Sequence, residues 1–88
     1  MVSAKICFIG NRTYYNHYRP TIKIRDDGMY NSCELIFKNR DNVYSGEEIE
    51  INMIFLVPDL AIDYLYKGKK FVMYEGPKIV GQGEITSV

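Results

Sequence analysis

Phe71-Val72-Met73-Tyr74-Glu75-Gly76-Pro77-Lys78-Ile79-Val80-Gly81-Gln82-Gly83-Glu84-Ile85 sets two apolar runs on either side of a Gly-Pro pair and reads as a β-hairpin. Side chains alternate across a strand, so Phe71, Met73 and Glu75 share one face and Val72 and Tyr74 the other. Gly81 and Gly83 also share a face. Two glycines inside one strand weaken it, so another demand must place them there. Sharp bending of a small barrel, or close approach of a second backbone, is that demand. The stretch therefore predicts a curved hairpin closing a small all-β barrel.

Upstream, further alternating runs support the same class. Val2 to Ile9 puts Val2, Ala4, Ile6 and Phe8 on one face, and Gly10 ends the run. Asn11 to Asn16 reads as a polar and aromatic loop. His17 to Arg25 reads as a second strand, with Tyr18, Pro20, Ile22 and Ile24 facing one way and Arg19, Thr21, Lys23 and Arg25 the other. Asp26-Asp27-Gly28 is a turn signal. Cys33 to Lys38 is a third strand, and Val43-Tyr44 a short one. Glu48 to Leu56 is the longest candidate, with Ile49, Ile51, Met53 and Phe55 on one face, and Pro58 stops it. Asp59 to Lys70 reads as a loop holding at most one short helical turn, with Asp59 as a possible N-cap and Leu60, Tyr64 and Leu65 on a shared face. About six short strands with regular turns indicate a barrel or sandwich. The 88 residues fit one domain, 1–88.

Composition narrows the function. Eleven basic and eleven acidic side chains cancel, whereas a dedicated nucleic-acid binder carries a basic excess. No apolar run approaches the ~20 residues that span a bilayer, so no membrane role is expected. No basic segment followed by an apolar run and a small-residue cleavage site is visible near Met1, so no export signal is expected. The two cysteines, Cys7 and Cys33, read as reduced core or near-core thiols of a cytoplasmic protein. His17 is the only histidine and has no ligand-spaced partner, so no metal, cofactor or small-molecule substrate is expected. No nucleophile, base and orienting group occur together, so the chain reads as non-enzymatic.

The candidate binding residues are basic and aromatic. Arg19, Lys23 and Arg25 form a basic strand face, which suits an acidic partner or phosphates but more often is an ordinary solvent face of a barrel strand. Lys67, Lys69 and Lys70 cluster beside Tyr64 and Tyr66, a mixture that stacks bases or decorates a protein-binding loop. Eight tyrosines exceed what so small a core can bury. Tyr14 and Tyr15, in the apparent loop, are the candidate exposed anchors; Tyr18 and Tyr74 read as structural.

Tyr18-Arg19-Pro20 before an alternating strand, Ser45-Gly46-Glu47 before a long apolar strand, Pro58 at its end, and Phe71…Glu75-Gly76…Val80-Gly81-Gln82-Gly83 resemble, in order, the C-terminal (third) barrel domain of translation elongation factor Tu. The likeness spans about Ala4 to Ile85. It implies a closed, six-stranded antiparallel Greek-key barrel without catalysis, one that in the family holds the T-stem of tRNA, packs on the GTPase domain and contacts the nucleotide-exchange factor. The GxxxxGK[ST] loop of the GTPase domain does not occur here. The residues that would meet tRNA depart from the family. Asp26 and Asp27 stand where it has threonines, Val57 where it has a basic or polar side chain, and Pro77 removes an N–H donor from its Glu-Gly-Gly turn. The expectation is a translation-related module that binds a protein partner or itself; the alternative is a tRNA- or RNA-binding accessory protein.

Overall fold

The structure is a computed structural model and describes residues 1–24 and 27–88. Six strands close a barrel: β1 (Val2–Phe8), β3 (Thr21–Lys23), β4 (Asn31–Phe37), β6 (Glu48–Phe55), β7 (Lys70–Glu75) and β8 (Lys78–Ser87). Their order is β1-β6-β4-β3-β7-β8, with β8 returning to β1, and every pairing is antiparallel. β3, β4 and β6 neighbour one another in sequence order while β1 lies beside β6, which is a Greek-key arrangement. A separate ribbon pairs β2 (Thr13–Tyr15) with β5 (Asn42–Tyr44).

The barrel interior is written by alternation. Ala4, Ile6 and Phe8 of β1, Cys33, Leu35 and Phe37 of β4, and Ile49, Ile51, Met53 and Phe55 of β6 are buried, while their neighbours face out. On the second strand, Pro20, Ile22 and Ile24 turn inward as expected, although only Thr21–Lys23 makes ladder pairs.

Gly81 and Gly83 face inward on β8. A Cβ on Gly81 would lie 2.7 Å from the Cys7 carbonyl oxygen and 2.7 Å from Met73 Cε; one on Gly83 would lie 2.8 Å from Ile6 Cγ2 and collide with the Phe71 ring. Close approach is thus the reason for both glycines. β7 runs into β8 through Gly76-Pro77, with Glu75 opposite Lys78. Gly76 has φ +60°, the sign needed at the first central position of a II′ hairpin.

Two segments depart from expectation. Asn11 to Asn16 is no plain loop, because Thr13–Tyr15 is a strand. Its partner strand begins more than two dozen residues later, so local sequence could not show the pairing. Asp59 to Lys70 holds two 3₁₀ turns, Pro58–Leu60 and Ile62–Tyr64, rather than at most one. Val57, not Asp59, occupies the first N-cap, and no side chain caps it. The buried anchor is Ala61, with Leu60 exposed, because 3₁₀ rather than α spacing sets which side chains turn inward. Cys33 is buried in the core, but Cys7 points outward and is only half-buried. Neither cysteine is bridged.

Candidate functional site

The β2–β5 ribbon sits over the end of the barrel where β1 and β4 finish. Tyr14 is its keel. The ring stacks on Phe8 with centroids 3.9 Å apart and 7° between planes, and its hydroxyl donates to the Ile9 carbonyl at 3.3 Å. Tyr18 meets Phe8 and Tyr14 edge-on, at 5.6 and 5.2 Å. Val43, opposite Tyr14 on the other strand, is buried with it. Tyr14 is only 2% exposed, which corrects its assignment as a surface anchor. Strand pairing forces alternation on Thr13-Tyr14-Tyr15, so one tyrosine must turn in when the other turns out.

Tyr15, 64% exposed, lies at the surface. Its outward companion is Tyr44, 54% exposed, which was not among the candidates. Tyr15 pairs with Asn42 and Tyr44 with Thr13, so the two rings are diagonal neighbours on the ribbon's outer face. The missed signal was Asn42-Val43-Tyr44, one apolar residue between two that face out, matching Thr13-Tyr14-Tyr15.

Polar groups lock this face in place. The Asn16 side-chain oxygen accepts from the backbone N–H of Phe37 at 2.8 Å and of His17 at 3.0 Å. The Ser45 hydroxyl donates to the Gly10 carbonyl. Arg12 lies with its guanidinium carbon 4.3 Å from the Tyr14 ring centroid and donates two bonds to the Glu75 carboxylate, at 3.1 and 3.4 Å. Tyr18 donates to the same carboxylate at 2.5 Å. Bonds from Tyr18 and then Arg12 hold the Glu75 carboxyl below its ordinary range. Burial, followed by the bond to Glu75, pushes the Tyr18 phenol well above the ordinary tyrosine range. Burial also raises Tyr14.

The basic candidates do not form one surface. Arg19 reaches Glu34 at 3.7 Å, and His17 Nδ1 lies 2.6 Å from the other oxygen of that carboxylate. Arg25 lies outside the described residues, as does Asp26. Tyr64 packs against the core and Lys69 is half-buried, its ammonium 5.8 Å from the Tyr66 ring centroid; Tyr66 and Lys67 are exposed. Lys23 and Lys70, taken from separate clusters, do come together. With Lys5 they line a shallow outer groove of about 640 Å³ across β7, β8 and β1. Glu48 and Glu84 line the same groove. Lys70 pairs with Glu84, Glu84 with Lys5, and Lys5 with Glu50, so charge alternates in sign along the row.

Among the described residues, no helix is long and apolar enough to cross a membrane. No family model matches the chain.

Proposed function

We propose that this chain is a non-enzymatic protein-binding module of the kind formed by the C-terminal barrel of elongation factor Tu, working in the cytoplasm. The observation that carries this reading is the outer face of the β2–β5 ribbon, with Tyr15 and Tyr44 exposed side by side above a locked base. Tyrosine offers a large, amphipathic contact at low entropic cost, and rings presented on a rigid element lose still less freedom on binding. The ordered motifs from Tyr18-Arg19-Pro20 to Gly81-Gln82-Gly83, together with the closed six-stranded barrel, support the family assignment. A benzophenone side chain placed at position 15 or 44 of the whole chain, in its own cells, tests the reading. It is expected to crosslink to a defined protein band that the same group at position 82, on the exposed outer face of β8, does not give. Adducts to RNA alone, or identical patterns from all three positions, would refute it.

One observation favours a second reading, an RNA-binding accessory protein: Lys5, Lys23 and Lys70 meet on one groove. Against it, Glu84 and Glu48 stand among those lysines, and carboxylates beside a phosphate backbone repel it. The protein-binding reading is therefore preferred.

A further inference from the structure

The end of the barrel away from the tyrosine ribbon is apolar. There β1 begins, β6 finishes and the two 3₁₀ turns cross over. They enclose a depression of about 710 Å³ whose walls include Met1, Val2, Phe55, Pro58, Ile62, Leu65 and Val88, and among the described residues no charged side chain lines it. Around it, Ile54, Leu56, Val57, Leu60 and Ile62 are 42–62% exposed. Single exposed aliphatics are ordinary on a small protein, but neighbours gathered around a depression mark an interaction surface.

Charge decides what fits. The decapeptide Leu56 to Leu65 carries two acids, Asp59 and Asp63, and no base. Each directly follows a lining residue, Pro58 or Ile62, and both carboxylates are exposed. Neither makes an ion pair with a described residue. An anionic lipid surface would be repelled by this rim. A second copy docked by two-fold symmetry would bring four aspartates to one seam, with no basic side chain among the described lining residues and only the Met1 α-amino groups to answer them. A segment that offers aliphatic side chains to the depression and lysine or arginine to the rim meets both features.

We propose that this end of the barrel is a docking site for a basic amphipathic segment of a partner protein, its aliphatic side chains entering the depression and its cations facing Asp59 and Asp63. The inference rests on the reading of the chain as a binding module but uses a surface separate from the ribbon, so the two fail separately.

Fluorescence anisotropy with the whole chain tests it, using two labelled amphipathic peptides of about 18 residues, five helical turns. One is built from leucine and lysine, the other from leucine and glutamate. The lysine peptide is expected to bind about ten-fold or more tighter than the glutamate peptide, a difference of about 1.4 kcal/mol. Asp59→Lys with Asp63→Lys should weaken the lysine peptide by about the same factor. Ile62→Glu should weaken both peptides, and Tyr15→Ala with Tyr44→Ala should leave binding unchanged. All the altered positions are exposed, and circular dichroism checks that each variant keeps its fold. Equal binding of the two peptides, no binding of the lysine peptide, or binding indifferent to the Asp59, Asp63 and Ile62 changes overturns the proposal. Sedimentation showing a dimer that Ile62→Glu dissolves would give this face to a second copy instead. Binding to phosphatidylserine vesicles lost in Ile62→Glu would give it to a membrane. Either result also overturns the proposal. Loss of ribbon crosslinking with peptide binding intact would sink only the ribbon reading.

Discussion

Gly81 shows how much one missing atom does in a barrel of this width. Its backbone approaches the Cys7 carbonyl so closely that a β-carbon has no room unless β1 or β8 moves. Gly81→Val is expected to destabilise the protein by about 1–3 kcal/mol, the usual range for overpacking. At this chain length each kcal/mol lowers the melting temperature by roughly 4–8 °C, and thermal unfolding followed by circular dichroism would read the shift. An unchanged melting temperature would mean that β8 relaxes at no cost. The two cysteines make a second comparison between residues. Cys7 is on the outer face of β1, and Cys33 is on the inner face of β4 with β6 between those strands. Burial pushes the Cys33 thiol up to about 12. A thiol reagent at neutral pH should therefore modify Cys7 in the folded protein and Cys33 only after denaturation, with two groups titrating in denaturant. Finding none in denaturant would show a bridge and refute the assignment to a reducing compartment.

The ribbon is the element in which local sequence and tertiary structure part company. Tyr14 and Tyr15 are adjacent and chemically identical, yet one is core and the other surface. Tyr14→Ala should cost about 3–5 kcal/mol, as for other large aromatic residues removed from a core. Tyr15→Ala should change stability by no more than about 0.5 kcal/mol. Chemical denaturation of the two variants would separate them, and equal losses would contradict the stacking on Phe8. Barrel strands, in contrast, were legible, because Ile49, Ile51, Met53 and Phe55 announce their face by alternation alone. Tyr44 was not legible as a site residue, because its exposure depends on pairing with Thr13, far away in sequence. Ala61 was missed because a small side chain gives little apolar signal, even where it is the one that turns inward.

The bonds from Tyr18 and Arg12 to Glu75 join ribbon to hairpin and make stability depend on pH at both extremes. The Glu75 pKa is depressed in the folded state, so its contribution is present above the unfolded value, about 4.3, and lost as pH falls through the folded one. Exposure of the carboxylate keeps this term small. The Tyr18 pKa is raised, so its contribution is present below about 10 and is lost as pH climbs through the folded value. Alkaline titration at 295 nm should show tyrosines ionising late, and Tyr18→Phe should remove one of them. Tyr18→Phe should also flatten the alkaline fall in melting temperature. A titration curve identical to that of the parent protein would mean that the phenol is not held.

At the scale of the whole molecule, balanced charge becomes balanced pattern. Basic and acidic side chains sum to zero in composition, and lysine and glutamate alternate across β7, β8, β1 and β6, so no broad positive field forms there for phosphates to find. RNA is expected to bind no tighter than about 10⁻⁴–10⁻⁶ M at physiological salt, the range of sequence-independent attraction. Filter binding across a salt series would measure this. Submicromolar tRNA binding abolished by changing Arg19, Lys23 and Arg25 together would overturn the preference for a protein partner.

Barrel closure also orders events in time. β1 is made first, yet both of its partners, β6 and β8, come much later, with Ser3 opposite Asn52 on one side and Ser87 on the other. As the chain leaves the ribosome, one edge of the earliest strand can meet β6, but the other must wait for the last strand, its ladder groups unmatched until the final hairpin arrives. Pairings this distant in sequence carry a large loop-closure cost before they give anything back, and chains dominated by them fold in milliseconds to seconds. The β7–β8 hairpin, whose turn is local, is placed to form early and to serve as the template on which β1 docks.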